Sequence, residues 1–523
     1  MEHIFSVMAY GLGTLAAMLL LGSLVYLFIK DVTQKQHTIL RNYPVIGHLR
    51  YYFEELGEYF RQYFFMGDRD EMPFNRSTRG WVYRVAKGEG GVIGFGSTYD
   101  LHAPGALLFV NAGFPVLEEE REPTPPLIIG NGYANKPFTA RSIFNVSGMS
   151  FGAISEPAVR ALSRGAKQAG CWIDTGEGGL SPFHLEGGCD IIMQIGTAKY
   201  GVRDDKGNLS EAKLKEIAAH EQVRAFEIKL SQGAKPGKGG VLPGGKVTSI
   251  IAKVRGIPEG QASISPNRHY DIANIDQLLD KIGYIRDVTG KPVGIKTAIG
   301  GWRFINDLCD AINRRGLEWA PDFLVIDGGE GGTGAAPQAL ADHMGLSIDV
   351  ALPRVADSLI QSGLKPRIRL IASGKLVTSA RAAWALCAGA DFINSARGFM
   401  FSLGCIQAQS CHTGNCPSGV ATQDDQRASA LVVPTKAERV YRFHQNTLMA
   451  LKELVQAAGL DDPSKITAAH IVRRSADQSV KLLVTLLPFV APGELLRGEM
   501  SQQVFRIYWP MSQASSFSVA QPV

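Results

Sequence analysis

Eight short apolar runs rich in β-forming residues recur in order along the chain, and most end in glycine or polar residues. Amphipathic helical segments lie between them, at residues 156–169, 275–288, 302–315 and 377–388. Strands that alternate with helices predict a parallel sheet, because parallel neighbours need a crossover connection. The runs are IFNVS (from Ile143), WIDT (Trp172), IIMQI (Ile191), AFEIKL (Ala225), VGIKTA (Val293), FLVIDG (Phe323), IRLIAS (Ile368) and FINSA (Phe392).

The number of strands distinguishes two α/β architectures. Eight strands joined by seven connections predict a TIM (β/α)8 barrel. A doubly wound open sheet is the alternative, but it would place its phosphate-binding glycines after the first strand, and here they lie elsewhere. We therefore expect an α/β fold built on a barrel.

Polar and glycine residues mark the carboxyl ends of the predicted strands, which together form the barrel mouth. Active sites of TIM barrels lie at this end, and phosphate is commonly bound by the loops after strands 7 and 8. The segments ASGK (from Ala372) and SARG (from Ser395) occupy those loops. A phosphorylated ligand is therefore expected, and flavin mononucleotide (FMN) suits the geometry because its ring can lie across the mouth.

Two side chains near the ends of predicted strands suit such a ligand. Lys296 lies inside the fifth strand, where it is expected to face the electron-rich edge of a flavin or a substrate anion; a salt bridge to Asp327 or Glu177 is the alternative. Gln194 ends the third strand and can donate to ring carbonyl oxygens, or simply cap the strand.

The loop after the fourth strand is cationic. Lys235, Lys238, Lys246 and Arg255 occur there without matching acids between them. A dicarboxylate substrate would balance this charge, and arginine can bind a carboxylate through two parallel hydrogen bonds. A solvated surface loop is the alternative. Glu177, in TGEGG, is placed to balance such a site or to hold an amine.

An uncharged stretch near the N-terminus, residues 4–29, is long enough to span a bilayer as a helix. A cleaved signal peptide is the alternative, but the preceding MEH has no basic residue typical of one. Basic residues such as Lys30 and Lys35 follow the stretch, so the positive-inside rule predicts a single-pass protein of the inner (cytoplasmic) membrane whose main domain faces the cytoplasm. The predicted segments are 4–29 (transmembrane helix), 30–136 (extension), 137–460 (barrel) and 461–523 (no assigned role).

The cysteine count and the net charge argue against a disulfide-stabilised protein and against a nucleic-acid-binding protein. Seven is an odd number and a low density for 523 residues, which is typical of a reducing compartment rather than a disulfide framework. The net charge of +5 forms no long basic run in the barrel region, so nucleic-acid binding is not indicated.

Three of the cysteines, Cys405, Cys411 and Cys416, cluster at C-x5-C-x4-C spacing. From the spacing alone they could bind an iron–sulfur cluster, form a redox pair with a spare thiol, or bind zinc with His412 as the fourth ligand.

Six motifs in fixed order resemble the FMN-binding barrel of glutamate synthase, in particular a short membrane-anchored form without the glutaminase domain. The resemblance covers about residues 137–460 and implies FMN, a [3Fe-4S] cluster, and reductive amination of 2-oxoglutarate through 2-iminoglutarate to L-glutamate. The motifs are GMSFGAIS, DTGEGG, QGAKPGKGGVLPGGKV, SPNRHYDI, DGGEGGTGAAP and CHTGNCPSGVATQD.

The resemblance also assigns roles to individual residues. It implies that Cys405, Cys411 and Cys416 hold the cluster and that Lys235 and Arg255 bind the oxo acid. Glu177 corresponds to a substrate-side acid and, with Lys296, is expected to be catalytic. The residues expected to contact FMN are Gly148, Met149, Ser150, Gln194, Lys296, Gly331, Gly332, Thr333, Gly334, Gly374, Arg397 and Gly398.

Three positions depart from the family pattern. Lys238 replaces an acid, Val241 replaces a glutamine that contacts the oxo acid, and Leu180 replaces a carboxylate. With no glutaminase module recognised, ammonia or another amine is expected from solution or a partner chain, and electrons from a separate ferredoxin or reductase. The sequence does not indicate an oligomeric state.

The departures leave two alternatives to catalysis of this reaction. One is a non-catalytic flavin and iron–sulfur protein for electron transfer or redox sensing in the membrane. The other is an enzyme acting on a sugar phosphate or nucleotide with the same barrel, which would need no cluster.

Overall fold

The computed structural model of the chain describes residues 2–487 and 490–515. Two compact units make up the chain, Met1–Thr78 and Arg79–Val523. The boundary between them falls inside the predicted 30–136 extension, and the limits of the four predicted segments stay predictions. Residues 488–489 and 516–523 of the predicted C-terminal segment lie outside the described residues.

The smaller unit begins with a long apolar helix, Glu2–Thr33. An 18-residue stretch within His3–Thr33 has a mean hydropathy of 2.2 and no buried residue, so by length and composition this helix could cross a membrane. The buried Asp31 carboxylate near its end accepts from the Val45 N–H at 2.8 Å and pairs with His48 Nε2 at 2.9 Å. The helices that follow are Thr38–Asn42, Gly47–Phe60 and the π-helical turn Arg61–Phe65.

Eight parallel strands form a closed barrel in the larger unit. The first strand pairs with both the second and the last, which closes the sheet. All eight predicted strands are confirmed, and so is the predicted TIM-type barrel. The strands are Phe144–Val146 (β1), Trp172–Asp174 (β2), Asp190–Ile195 (β3), Val223–Lys229 (β4), Val293–Thr297 (β5), Phe323–Asp327 (β6), Arg369–Ser373 (β7) and Phe392–Ser395 (β8).

Helices connect the strands, and local sequence signals set their ends. Asn274 caps one helix by accepting from the Gln277 N–H at 2.9 Å, and Gly290, at φ 68°, ends it. The four predicted helices agree within two residues at each end. The α-helices described from residue 76 onward are Arg76–Lys87, Glu156–Ala169, Pro182–Glu186, Glu211–Ala219, Ser249–Arg255, Ile275–Thr289, Arg303–Arg315, Gln338–His343, Ile348–Gln361, Ser379–Cys387, Arg397–Leu403, Asp425–Ser429, Val433–Ala457, Leu483–Leu486 and Gln503–Tyr508.

The barrel interior changes from apolar to polar along the strands. One buried core cluster contains a residue from each of six strands, namely Trp172, Ile192, Ala225, Val325, Ile371 and Phe392. Residues two apart on a strand face the same side, so the residue two places later also points inward. Those later residues are Asp174, Gln194, Glu227, Asp327, Ser373 and Asn394. A polar layer therefore lies above the apolar core, at the carboxyl ends of the strands.

A hairpin of Leu127–Ile129 and Phe138–Ala140 closes the amino end of the barrel. Its residues Ile129 and Phe138 are fully buried in the same core cluster as the first inward side chains of the strands. Two further small sheets lie outside the barrel. They comprise Leu107–Phe109, Ile471–Arg474 and Val480–Leu482 in one, and Val241–Leu242 with Ser263–Ile264 in the other.

Candidate active site

A cavity of about 260 Å³ opens at the barrel mouth. A smaller cavity of about 50 Å³ adjoins it and shares Gln194 and Arg397 with it. Lys296 and Gly374 line the smaller cavity. The predicted site residues that line the larger one are Gly148, Met149, Ser150, Glu177, Gln194, Lys235, Arg255, Gly332, Thr333, Gly334, Arg397 and Cys411. Residues from five separate predicted motifs thus meet at one place.

Two predicted flavin-contacting glycines lie behind the cavity wall instead. A Cβ atom at Gly331 would lie 2.9 Å from Asp327 Oδ1, and one at Gly398 would lie 2.7 Å from Cζ of Phe443. A larger side chain would collide with its neighbour at either position. These glycines therefore allow close packing around the site.

One side of the larger cavity contains a largely buried ion pair. Glu177 Oε2 lies 3.1 Å from Lys229 Nζ, which also donates to Gln232 Oε1 at 2.5 Å. Burial raises the pKa of Glu177, but Lys229 and Lys235 lower it more, so the net pKa is below the usual value. Burial lowers the pKa of Lys235, and Glu177 partly offsets this change. The carboxylate is therefore ionised and surrounded by cations.

Arg255 is the second cation predicted to bind substrate, and it is held in place by three neighbours. Its guanidinium donates to Ser263 Oγ at 2.9 Å and to the Phe151 carbonyl at 3.1 Å, and it lies 5.2 Å from the centre of the Tyr200 ring. Its Nε has no hydrogen-bond partner among the described residues. A preoriented donor is thus available beside the cavity.

Lys296 occupies β5 and is surrounded by carboxylates. Burial lowers its pKa, but Asp327, Glu227 and Asp174 outweigh burial, so its pKa lies above the usual value. Asp327 Oδ2 also accepts from the Gly233 N–H at 2.8 Å. The ammonium group therefore remains charged at neutral pH, with Asp327 as its strongest electrostatic partner.

Two buried carboxylates that the sequence reasoning missed lie beside Lys296. Gln194 Nε2 donates to Glu227 Oε1 at 2.7 Å and to Asp174 Oδ2 at 3.3 Å. Glu227 and Asp174 are 0% and 1% exposed. The available signal was their position two residues after an apolar core residue on the same strand. Lys229, on the same face of β4 as Glu227, was missed for the same reason.

The smaller cavity carries polar groups suited to a phosphate. Gly374 has φ 122°, and a Cβ atom there would lie 2.9 Å from the Gly328 N atom. This backbone conformation and close packing therefore require glycine at position 374. The side-chain polar atoms of Asn394 and Ser395 are buried without a hydrogen-bond partner among the described residues. Arg397 donates to the Thr333 carbonyl at 2.5 Å. These donors fit the phosphate end of a nucleotide cofactor.

The cysteine segment, residues 405–416, lies against the larger cavity through Cys411 and His412. Backbone contacts hold it: Tyr83 Oη donates to the Cys405 carbonyl at 2.6 Å, and Lys246 Nζ donates to the Cys411 carbonyl at 2.9 Å. Burial, opposed in part by Arg397, raises the pKa of Cys405, and the neighbouring Cys411 and Cys416 raise it further.

The pKa of Cys416 is shifted in the opposite direction from that of Cys405. Burial raises the pKa of Cys416, but hydrogen bonds from Ser418 and from nearby backbone N–H groups lower it to below its usual value. Among the described residues, no group of three or more His, Cys, Asp or Glu side chains is arranged to bind a metal ion. Thiolates are suitable donors for an iron–sulfur cluster, whereas a preformed ligand set is not found in this part of the chain.

Comparisons with known proteins place these features in a family. A family model described as a conserved region in glutamate synthase matches residues 114–461. A glutamate synthase large subunit-like protein, YerD of Bacillus subtilis (strain 168), is 40% identical over 91% of this chain and 97% of its own length. The archaeal glutamate synthase [NADPH] of Methanocaldococcus jannaschii is 36% identical over 60% of this chain and 59% of its own length.

Solved structures resemble the chain in fold alone. Mandelate oxidase with benzoyl-formic acid aligns with a TM-score of 0.41 at 15% identity, over 72% of this chain and 86% of that chain.

Proposed function

Because the chain belongs to the glutamate synthase family, we propose that it is a flavin-dependent oxidoreductase that acts on the C–N bond of an amino acid. In the proposed reaction a 2-oxo acid, ammonia, two electrons and two protons give an amino acid and water. The preferred substrate is 2-oxoglutarate or a close variant, and the product is L-glutamate or its counterpart. The observation that carries the proposal is the cavity at the barrel mouth, where predicted cofactor and substrate residues meet.

FMN is the proposed cofactor, and when bound it would supply hydride transfer to the substrate. The loops after β7 and β8 would hold its phosphate through Gly374, Arg397 and the unpartnered groups of Asn394 and Ser395. Lys296 would place a positive charge beside the ring. These residues bind and orient the cofactor and stabilise negative charge near it.

Lys235 and Arg255 are proposed to bind the carboxylates of the oxo acid. Both line the larger cavity, and Arg255 is already oriented by Ser263 and Phe151. Glu177 faces the same space and would hold the incoming ammonia or the resulting iminium through its negative charge. Its pair with Lys229 keeps it ionised at neutral pH.

The apolar side chain of Val241 is a reason to test several oxo acids as substrates. It lines the cavity and is 48% exposed, where the family has a glutamine. An apolar side chain there removes one hydrogen bond to a second carboxylate, which typically contributes about 1.5–3 kcal/mol. Turnover with 2-oxoglutarate and with 2-oxo acids that have apolar side chains would define the substrate.

Electrons are proposed to come from a separate ferredoxin or reductase. Cys405, Cys411 and Cys416 would hold a [3Fe-4S] cluster, which when bound would supply one-electron transfer. Support comes from the contact of Cys411 and Lys246 with the substrate cavity and from the clustered thiols. No catalytic step above depends on that cluster. Iron analysis tests it: fewer than about two irons per chain, against the three expected for this cluster type, would exclude it.

The helix Glu2–Thr33 is proposed to anchor the protein in the inner membrane, with the barrel on the cytoplasmic side. Carbonate-resistant membrane association and protease protection in right-side-out vesicles test anchor and orientation separately. Recovery in the soluble fraction would exclude the anchor, and cleavage of the barrel in intact spheroplasts would reverse the orientation.

The decisive experiment measures flavin content and turnover on the same preparation. We expect one FMN per chain and amino acid formed from oxo acid, ammonia and a reduced donor. Flavin that reduces and reoxidises without any amino acid product would instead support a membrane-bound electron-transfer or redox-sensing protein, which the apolar Val241 favours. A colourless, flavin-free protein would overturn both functions.

A further inference from the structure

Below the cavity, the side chain of Gln194 is hydrogen-bonded to both Asp174 and Glu227. They stand on three neighbouring strands, β2, β3 and β4, and Gln194 is directly paired in register with Glu227. The Gln194 amide nitrogen has two N–H groups, and its two bonds go to Glu227 Oε1 and Asp174 Oδ2. Both donors are therefore used inside the protein.

One carboxylate oxygen of this group would have no hydrogen-bond partner if both carboxylates were ionised. Glu227 Oε2 is buried without a hydrogen-bond partner among the described residues. Asp174 already accepts from the Gly176 N–H at 2.8 Å and from Gln194. Two adjacent, fully buried carboxylates repel each other unless one carries a proton. A proton on Glu227 removes that repulsion and allows Oε2 to donate a hydrogen bond.

The charged groups around the pair are consistent with a single net negative charge, because each neighbouring lysine also interacts with a carboxylate outside the pair: Lys296 with Asp327 and Lys229 with Glu177. Lys296 faces it from β5 and Lys229 from β4, while Asp174 is the carboxylate opposite Glu227. Burial and then the negative charge of Asp174 raise the pKa of Glu227 to about 8, although Lys296 opposes this change. Burial also raises the pKa of Asp174, but Lys296 and Lys229 oppose that change.

We propose that Glu227 carries a proton that it shares with Asp174, and that this pair fixes Gln194 with its amide oxygen toward the cavity. Gln194 then acts as a hydrogen-bond acceptor for an N–H group of the bound ligand, not as the donor that the sequence suggests. A reversed amide would direct its oxygen at an ionised Asp174. Gly148 is required beside this contact, because a Cβ atom there would lie 2.9 Å from Gln194 Nε2.

Glu227 and Asp174 are positioning residues in this scheme. The inference rests on the proposed function and deepens it, because it defines a hydrogen-bond acceptor that the cavity presents to a flavin. The proton itself can be observed without turnover. A protonated carboxyl group gives an infrared carbonyl band that shifts in D2O, whereas carboxylates do not absorb in that region. The band would be recorded at pH 7 in the full-length protein and in Glu227→Gln, whose amide mimics the protonated state.

Asp357→Asn is the matched control. Asp357 is a partly buried carboxyl outside both cavities, and burial raises its pKa to about 6, so it is mostly ionised at pH 7. We expect the D2O-sensitive band to be lost in Glu227→Gln and retained in Asp357→Asn, with FMN content in Glu227→Gln within about twofold of the unaltered protein.

Absence of the band from the unaltered protein at pH 7, or its full retention in Glu227→Gln, would overturn the proposal. If Glu227→Gln does not fold, Asp174→Asn gives a second measurement. Removal of the neighbouring negative charge should lower the pH at which the infrared band disappears. An unchanged midpoint of this pH titration would also overturn the proposal. A flavin-free protein that retains the band would contradict the proposed function and leave the shared proton intact.

Discussion

The barrel mouth and the cysteine segment both present reactive side chains, but they hold them differently. In the mouth, Gln194 and Glu227 stand on adjacent strands and bond directly to each other at 2.7 Å. In the cysteine segment, the long-range contacts with Lys246 and Tyr83 are accepted by the backbone carbonyls of Cys411 and Cys405, and the Cys416 thiol contacts the nearby Ser418 hydroxyl at 3.4 Å. The protein alone sets the side-chain geometry of the mouth, whereas we expect bound metal to complete that of the segment.

This difference predicts two kinds of response to mutation. Loss of a side chain in the mouth should disturb neighbouring charges and therefore stability. Loss of a thiol in the segment should remove a bound group and leave the barrel folded. The following experiments test that contrast.

Cys411→Ser is expected to have the largest effect, a complete loss of iron. Three thiolates are needed for the proposed cluster, and serine is a poor substitute for the missing ligand. Flavin content should stay within about twofold of the unaltered protein. Cys387→Ser, at a half-buried cysteine outside the segment, is the control and should keep all of its iron. Parallel iron and flavin assays check this, and joint loss of both groups would contradict the independence of the two regions.

Lys296→Met is expected to lower kcat by about 100-fold. It also leaves the buried carboxylates of Asp327 and Asp174 without their cation, which should lower the free energy of unfolding by about 3–5 kcal/mol. Steady-state kinetics and denaturant unfolding measure the two effects. Lys215→Met removes an exposed pair with Glu211 and should change the free energy of unfolding by less than about 1 kcal/mol. Equal effects of the two variants would exclude a special role for Lys296.

Lys235→Met should raise KM for the oxo acid by about tenfold with a smaller change in kcat. The reason is the loss of one charge-assisted contact, which contributes about 1.5 kcal/mol. Lys253→Met is the control, because Lys253 is exposed on the helix that carries Arg255. If KM is unchanged in Lys235→Met, the substrate binds elsewhere in the cavity.

The pH dependence of stability tests the raised pKa of Glu227. Since the pKa of Glu227 is raised to about 8 in the folded protein, the folded state retains a proton that the unfolded state releases above about pH 4.5. The contribution of this group to the free energy of unfolding therefore falls as pH rises from about 5 to 8 and is constant above that, with a slope of at most about 1.4 kcal/mol per pH unit. Glu227→Gln should flatten the profile in this window; an unchanged profile would contradict the raised pKa.

The sequence was sufficient for the barrel because each strand is a short apolar run with a polar end, and that pattern depends on local residues alone. It also located Gln194 and Lys296, whose positions near strand ends are visible in the same pattern. The partners of these residues were not predicted. Asp174 and Glu227 face each other only after the sheet closes, and a polar residue within a strand could equally face solvent.

The predicted metal ligands show the opposite limit. Spacing grouped Cys405, Cys411 and Cys416 along the chain, and the structure places Cys411 and Cys416 within electrostatic reach of Cys405. Spacing does not determine how a loop arranges three thiols in space. The contact between Lys246 and the Cys411 carbonyl joins residues 165 positions apart and could not be found from local patterns.

The hairpin at the amino end of the barrel blocks access to the site along the barrel axis from that end. With Ile129 and Phe138 sealed into the apolar core, small molecules cannot pass along the barrel axis. If the proposed reaction takes place here, oxo acid, ammonia and product would pass through the mouth, and a bound cofactor there would force them to enter and leave one after another. Inhibitors that cover the mouth should consequently compete with every small reactant at once.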